Sequence, residues 1–236
     1  MDLEGFKKIF YVEWLHRGVG SGLGAIFAFP LLYFWGRGYL KPRMKKRMLL
    51  LLGLGASQGL IGWWMVKSGM KEKPDYQSRP RVSVYRLFIH LNTAIVIYSL
   101  LLWNGLTLLR KPIEMSLRPE HYKANKILRG KVILLLHFVA LNIASGACAA
   151  GIDAMKVFND WPLYNGGIVP PNLWESEKGI RNFFENKSLV QFNHRNFGAL
   201  TFLWTIHILN WTIKQKSGLA FNHRLGVYLL GGIVGL

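Results

Sequence analysis

The chain has 236 residues, 51% of them hydrophobic, with 9 Trp, 14 Phe and a formal net charge of +18. That composition excludes a disordered or collagen-like chain. The positive charge lies in connections between apolar segments, which argues against nucleic acid as a partner.

Crossing a bilayer takes roughly 20 apolar residues. Five segments are long enough: Gly18–Trp35, Met48–Val66, Tyr85–Leu109, Val132–Ala150 and Phe197–Ile213. A sixth begins near Leu225, and the chain stops at Leu236. In lipid such segments must be helices, because an open strand would leave unpaired N–H and C=O groups in hydrocarbon. The expected fold is an all-α polytopic membrane helical bundle, with five complete spans plus a partial sixth. In the second span, Gly59-x-x-Gly62 with Ala56 and Ser57 can form a small-residue face for close helix approach.

Charge sets the expected orientation. The stretch 36–47 holds six Lys/Arg and no acid, and 110–131 holds seven Lys/Arg and two acids. With 214–224, these stretches should face the cytoplasm or matrix. Residues 1–13, 67–83 and 151–188 fall on the outer side, where acids nearly balance bases. No targeting peptide is visible before the first span. The single cysteine, Cys148, allows neither an intrachain disulfide nor a thiolate metal cage.

The second long outer loop, Gly151–Leu189, carries Trp161-Pro162, Gly166-Gly167, Pro170-Pro171 and Trp174. It is too rich in turn residues to be one helix. A lid or binding surface and a structured connector are equally open readings.

One motif occurs twice. Residues 12–20 read V-E-W-L-H-R-G-V-G and residues 190–198 read V-Q-F-N-H-R-N-F-G, 178 residues apart. His16 is expected to open the first span and His194 the fifth; His90 lies about one turn into the third. All three then sit near the outer face. Ionisable residues inside a membrane are costly and tend to be functional. Imidazole binds haem iron, and guanidinium pairs with a propionate at the membrane edge. His16 with Arg17, and His90 with Arg86 one turn before it, form the natural ligand pair. Glu13, three residues before His16, shares its helix face and adds a carboxylate for acid–base chemistry or stabilisation of positive charge. His194 keeps Arg195 but has no such carboxylate, which suits electron transfer. Its partner histidine would lie two spans further on. His137 and His207 form a competing inner pair. His223 repeats the letters F-N-H-R at the opposite face and reads as coincidence, and His121 reads as solvated.

These residues resemble a known family. Glu13-Trp14-Leu15-His16-Arg17 resembles the E-[YW]-x-H-R motif of heme A synthase, and Gln191-Phe192-Asn193-His194-Arg195 its Q-F-x-H-R motif. Gly62-Trp63-Trp64-Met65-Val66-Lys67-Ser68-Gly69 is similar to the close of the family's third helix. Arg79-Pro80-Arg81-Val82-Ser83 followed by Tyr85-Arg86-Leu87 and His90-Leu91 is similar to the approach to its fourth-helix histidine. Gly151-Ile152-Asp153-Ala154 and Arg181-Asn182-Phe183-Phe184-Glu185-Asn186 also fit. The resemblance covers nearly the whole chain and points to the mitochondrial and proteobacterial branch.

The resemblance implies eight helices in two pseudo-symmetric four-helix halves. It implies oxidation of the C8 methyl of haem O to a formyl group, giving haem A for cytochrome c oxidase. His16 and His90 match axial ligands of the substrate haem, Glu13 the catalytic carboxylate, and His194 one axial ligand of a haem b cofactor. Arg17, Arg86 and Arg195 remain candidate propionate contacts on physical grounds. Residues 1–109 would form the substrate-haem half-bundle, 110–131 an inner loop, and 132–236 the haem b half. Membrane lipid, a haem O synthase supplying substrate, an electron donor such as a ferredoxin and a homo-oligomer are the implied partners. The implied location is the mitochondrial inner membrane, multi-pass, with His16, His90 and His194 at the intermembrane-space face, or the plasma membrane in a prokaryote.

Departures from the family pattern are clear. Its first helix has no counterpart before residue 1, its eighth helix with the second haem b histidine has none after Leu236, and Asn193 stands where an Asp is common. The paired loop cysteines of some bacterial members are absent. On that pattern the chain is expected to be truncated at both ends, as a fragment, isoform or incomplete gene model, and inactive as written. Two rivals stay open: a non-enzymatic di-haem b electron-transfer cytochrome, which needs the histidines but not Glu13, and a proton-coupled transporter, which would lack haem.

Overall fold

The computed structural model describes residues 3–70, 81–109, 119–215, 219 and 221–234, with 119–121, 221–223, 230 and 233–234 described by backbone alone. Its helices are α1 (Leu3–Gly36), α2 (Pro42–Gly69), α3 (Val84–Leu109), α4 (Pro119–Gly151), the single turn α5 (Asn182–Glu185), α6 (Lys187–Lys214) and α7 (Phe221–Val234). Four helical stretches are long and apolar enough to cross a membrane: Leu3–Gly36, Pro42–Gly69, Val84–Leu109 and Tyr122–Gly151. The chain is a multi-pass, all-α membrane protein.

Several boundaries differ from the sequence expectation. The expected inner loop 110–131 is helical from Pro119 onward. The reason is a buried apolar stripe, Ala124, Leu128 and Leu135, whose spacing keeps one face of α4 in the core. Lys123, Lys126 and Arg129 then turn outward and are exposed. Likewise α1 starts at Leu3, so His16 lies about three and a half turns inside it instead of opening it. The expected fifth span, 197–213, is helical within α6, but α6 is not among the four apolar helices. It carries Asn193, His194, Arg195, Asn196, His207 and Asn210, and it buries Gln191, Thr205 and Thr212. Buried polar groups, of which Gln191 and Thr205 find partners inside the protein, characterise this helix more than lipid-facing apolarity does. Arg79-Pro80 and, within 214–224, residues 216–218 and 220 lie outside the described residues.

The described residues group into two compact units, one from Met1–Val82 and Ile89–Lys111, the other from Ser83–Phe88 and Pro112–Leu236. The first buries little. Leu31, Leu51 and Asn104 are its buried side chains, while Phe6, Val12, Trp14, Ile26, Phe29 and Leu60 are exposed on α1 and α2, as expected of surfaces that meet lipid. Arg47 of α2 reaches Asn104 of α3 at 3.4 Å. Of the Gly59-x-x-Gly62 pair, Gly59 faces open space and only Gly62 meets a neighbouring side chain.

The second unit has two apolar clusters. One joins Ala124, Leu128 and Leu135 to Ile208, Leu219 and Val227, so α4, α6 and α7 pack together. The other joins Val84, Cys148, Ala149, Ala154 and Val190, with Phe88 and Phe184 packed against it. Gly151 is required there, because a Cβ would lie 2.9 Å from Val84.

The connector between α4 and α6 is ordered by its own chemistry. Asn165 (φ 50) and Gly166 (φ 84) form a two-residue turn closed by the Tyr164 N–H to the Gly167 carbonyl, 2.7 Å, and its reciprocal, 3.2 Å. Further on, the buried Asn182 amide donates to the carbonyls of Glu175 and Gly179, and its oxygen accepts from the Glu175 N–H. Asn186 caps α6 by accepting from the N–H groups of Ser188 and Leu189, at 2.9 and 3.2 Å. Its amide nitrogen donates to Asn172, Leu173 and Asn182. The connector is therefore structured, held by its own hydrogen bonds and turns.

Candidate functional site

In the first unit, His16 of α1 and His90 of α3 face one another, with ring centroids 6.4 Å apart and planes at 77°. A metal ion held between two imidazoles, about 2 Å from each nitrogen, spreads the ring centres by roughly 6 Å. The ring of His90 lies against Gly62 of α2, where a Cβ would sit 3.1 Å from its Cε1. Gln58, one turn earlier on α2, donates its amide to the His90 carbonyl at 3.1 Å, tying the two helices at this level. His90 Nδ1 is buried and has no hydrogen-bond partner. A buried ring nitrogen without a protein partner is costly, and a ligand interaction at that nitrogen would offset the cost.

Glu13 lies three residues before His16 on α1. Its carboxylate pairs with Arg17 one turn on, at 3.5 Å. The pair is partly exposed, so its contribution to stability is small. Its effect is positional: the guanidinium holds the carboxylate on the stretch of α1 that carries His16. Arg86 is one turn before His90 on α3.

In the second unit, His194 of α6 packs on α4. A Cβ on Gly146 would lie 3.0 Å from His194 Cε1, the same close approach that Gly62 gives His90. Ser145 Oγ is 3.1 Å from His194 Nδ1. Two motif residues flanking His194 hold the connector. Gln191, fully buried, accepts from the Phe158 N–H at 3.2 Å and donates to the Phe158 carbonyl at 2.7 Å. Arg195 donates to the carbonyls of Phe158, Asp160 and Leu163, at 2.6, 2.9 and 3.2 Å, and stacks 4.8 Å over the Tyr164 ring. Three of its five N–H groups are thus spent on loop backbone, a role the sequence did not suggest. Its charge still lies one residue from His194.

The competing pair is otherwise engaged. His137 Nδ1 contacts the Ile133 carbonyl of its own helix at 2.7 Å. His207 Nε2 meets Lys131 Nζ at 2.6 Å, and its ring stacks on Trp204. The side chains of His121 and His223 lie outside the described residues. Structure therefore brings His16 and His90 together, with Glu13 and Arg17 on the same helix as His16, and gives His194 a separate seat. Sequence reasoning missed Ser145, Gly146 and Gln58. The Ser145-Gly146 dipeptide inside an apolar span was the visible signal, since small residues there mark close approach.

Among the described residues, no three His, Cys, Asp or Glu side chains converge as a metal cage. Two imidazoles suit instead a metal that brings its own in-plane donors. The glycine seats, the ring spacing and the unpartnered His90 Nδ1 all fit haem.

Comparison with known proteins agrees. The chain matches the COX15-CtaA family, described as Cytochrome oxidase assembly protein, over residues 1–235. It is 40% identical to the Heme A synthase COX15 of Arabidopsis thaliana over 238 residues, covering 100% of this chain and 50% of that protein. It is 41% identical to the Heme A synthase COX15 of Homo sapiens over 212 residues, 89% of this chain and 51% of that protein. It is 37% identical to the Heme A synthase of Rhizobium etli over 234 residues, 99% of this chain and 60% of that protein. The chain thus spans about half the length of the curated relatives it matches. No solved structure matches it. With the family model matched over nearly its full length and the motif histidines seated as described, the chain belongs to the COX15-CtaA family.

Proposed function

We propose that the chain carries the haem sites of a heme A synthase, the enzyme that converts the C8 methyl of haem O into the formyl group of haem A, with haem b as cofactor. The observation that carries this reading is the facing of His16 and His90 at 6.4 Å, with Glu13 on the helix of His16. The substrate haem is held by His16 and His90, and haem b by His194. Haem, when bound, supplies the redox-active iron that the oxidation requires. Glu13, oriented by Arg17, takes up a proton or stabilises positive charge that builds near the reacting carbon. Arg17, Arg86 and Arg195 supply cations for propionates at the membrane edge. The excess of Lys and Arg in 36–47 and 110–131 supports an arrangement with the three histidines toward the outer face. In a mitochondrion that face is the intermembrane space; in a bacterium it is the outer side of the plasma membrane. Residues 1–109 and 132–236 then serve the substrate haem and haem b respectively. A haem O synthase, a ferredoxin-type electron donor and a second copy of the chain are the partners this reading calls for.

The test is the pigment content of the purified protein from a host that makes haem O and has no synthase of its own. The expected protein carries a low-spin bis-imidazole Soret spectrum that His16→Ala and His90→Ala each diminish. Glu13→Ala keeps that spectrum and abolishes haem A formation. Absence of any Soret band would sink the haem reading, undiminished haem A from Glu13→Ala would remove Glu13 from the chemistry, and a haem spectrum with no haem A formed by the parent protein would favour an electron-transfer cytochrome.

A further inference from the structure

His90 and His194 are seated alike on glycine, but their Nδ1 atoms are not treated alike. His90 Nδ1 is buried without a partner, whereas His194 Nδ1 lies 3.1 Å from Ser145 Oγ. The Ser145 hydroxyl also lies 3.0 Å from the Asn142 carbonyl, one turn back on α4. A serine has one proton to give and a carbonyl can only accept. Were the proton turned toward His194, two oxygen lone pairs would face each other at 3.0 Å. The proton therefore goes to Asn142, and Ser145 Oγ accepts from His194 Nδ1–H. That assignment leaves Nε2 of His194 as the bare nitrogen lone pair.

We propose that Ser145 is the positioning residue for His194: it sets the tautomer that offers Nε2 to haem b iron and fixes the ring's rotation above Gly146. The proposal rests on the reading of His194 as a haem b ligand. The hydrogen bond does two things. It locks the imidazole plane, and it draws the Nδ1 proton toward oxygen, making Nε2 a stronger donor that favours ferric over ferrous iron. His90 Nδ1 has no such acceptor. Its ring is seated by packing against Gly62 with no hydrogen bond at Nδ1 to set the tautomer, which suits a haem that must arrive as substrate and leave as product. His194, with its ring locked, suits a resident haem of constant potential. The asymmetry between the two glycine-seated histidines is therefore written on α4, in a residue outside both His-Arg motifs.

The test uses the full chain with the haem it acquires in its host, read by redox titration of the visible band and by low-temperature EPR. Ser145→Ala should raise the haem b midpoint potential and alter its low-spin g-anisotropy, with haem content largely kept. Ser145→Thr, which retains a hydroxyl able to bond back along the helix, should restore both. A purely packing role would lower haem content without moving the potential, and that outcome overturns the proposal, as does an unchanged potential in Ser145→Ala. His194→Ala separates the two levels of the argument. If it leaves the haem b signal intact, the haem b assignment itself has failed. If it removes that signal while Ser145→Ala changes nothing, the fault lies with Ser145 alone.

Discussion

Gly62 lies directly against the ring of His90: a Cβ built on this glycine falls 3.1 Å from the imidazole Cε1. Gly146 stands in the same relation to His194, at 3.0 Å. Two histidines on different helices of different units thus share one device, a glycine on a neighbouring helix that leaves room for the Cε1 corner of the ring. The imidazole's position is fixed by what the neighbouring helix lacks.

Gly62→Ala and Gly146→Ala should each push the adjacent imidazole off its seat. Overpacking of this kind costs about 1–3 kcal/mol. The expected readings are a lower Soret-to-protein absorbance ratio and a lower unfolding temperature. Gly59→Ala, one turn from Gly62 but facing open space, should leave haem content unchanged and be neutral or slightly stabilising. Equal losses from Gly59→Ala and Gly62→Ala would show that the seat has no special role.

Gln191→Leu keeps much of the side-chain volume but breaks both bonds to Phe158. The buried Phe158 N–H is then unpaired, at a cost of about 1–3 kcal/mol. Faster limited proteolysis within 158–164 and a lower unfolding temperature are expected. Protease resistance equal to the parent would refute the anchoring role.

Arg195→Lys discriminates between charge and geometry. Lysine keeps the cation but not the planar fork that reaches three carbonyls or the stacking on Tyr164. If Arg195 acts mainly by anchoring the connector, Arg195→Lys should loosen 158–164 nearly as much as Arg195→Ala in hydrogen exchange. If it acts mainly as a cation toward a propionate, Arg195→Lys should retain parental exchange protection and most of the haem.

Much of this protein is legible in order. Apolar length marks four of the membrane-crossing helices, because hydrocarbon forces backbone groups to pair within the helix. The spacing of Glu13, His16 and Arg17 is local, so one helix turn is enough to relate them. Pairing His16 with His90 is also readable, since both were placed at similar depth on separate helices. The start of α4 at Pro119 was not readable from its charge. Seven Lys and Arg between 110 and 131 look like a loop until Ala124 and Leu128 are seen to face a core.

The amino-acid order by itself determined the membrane class, the helical fold, the histidines and the family, because those depend on composition, period and short spacing. The tertiary structure alone decided what each histidine rests on and bonds to. Gly62 with His90, Ser145 and Gly146 with His194, and Gln191 and Arg195 with the connector at 158–163 are contacts between segments far apart in the chain. They exist only where packing brings backbones within a few ångströms, and no local pattern records which glycine or serine will be the one that meets a ring.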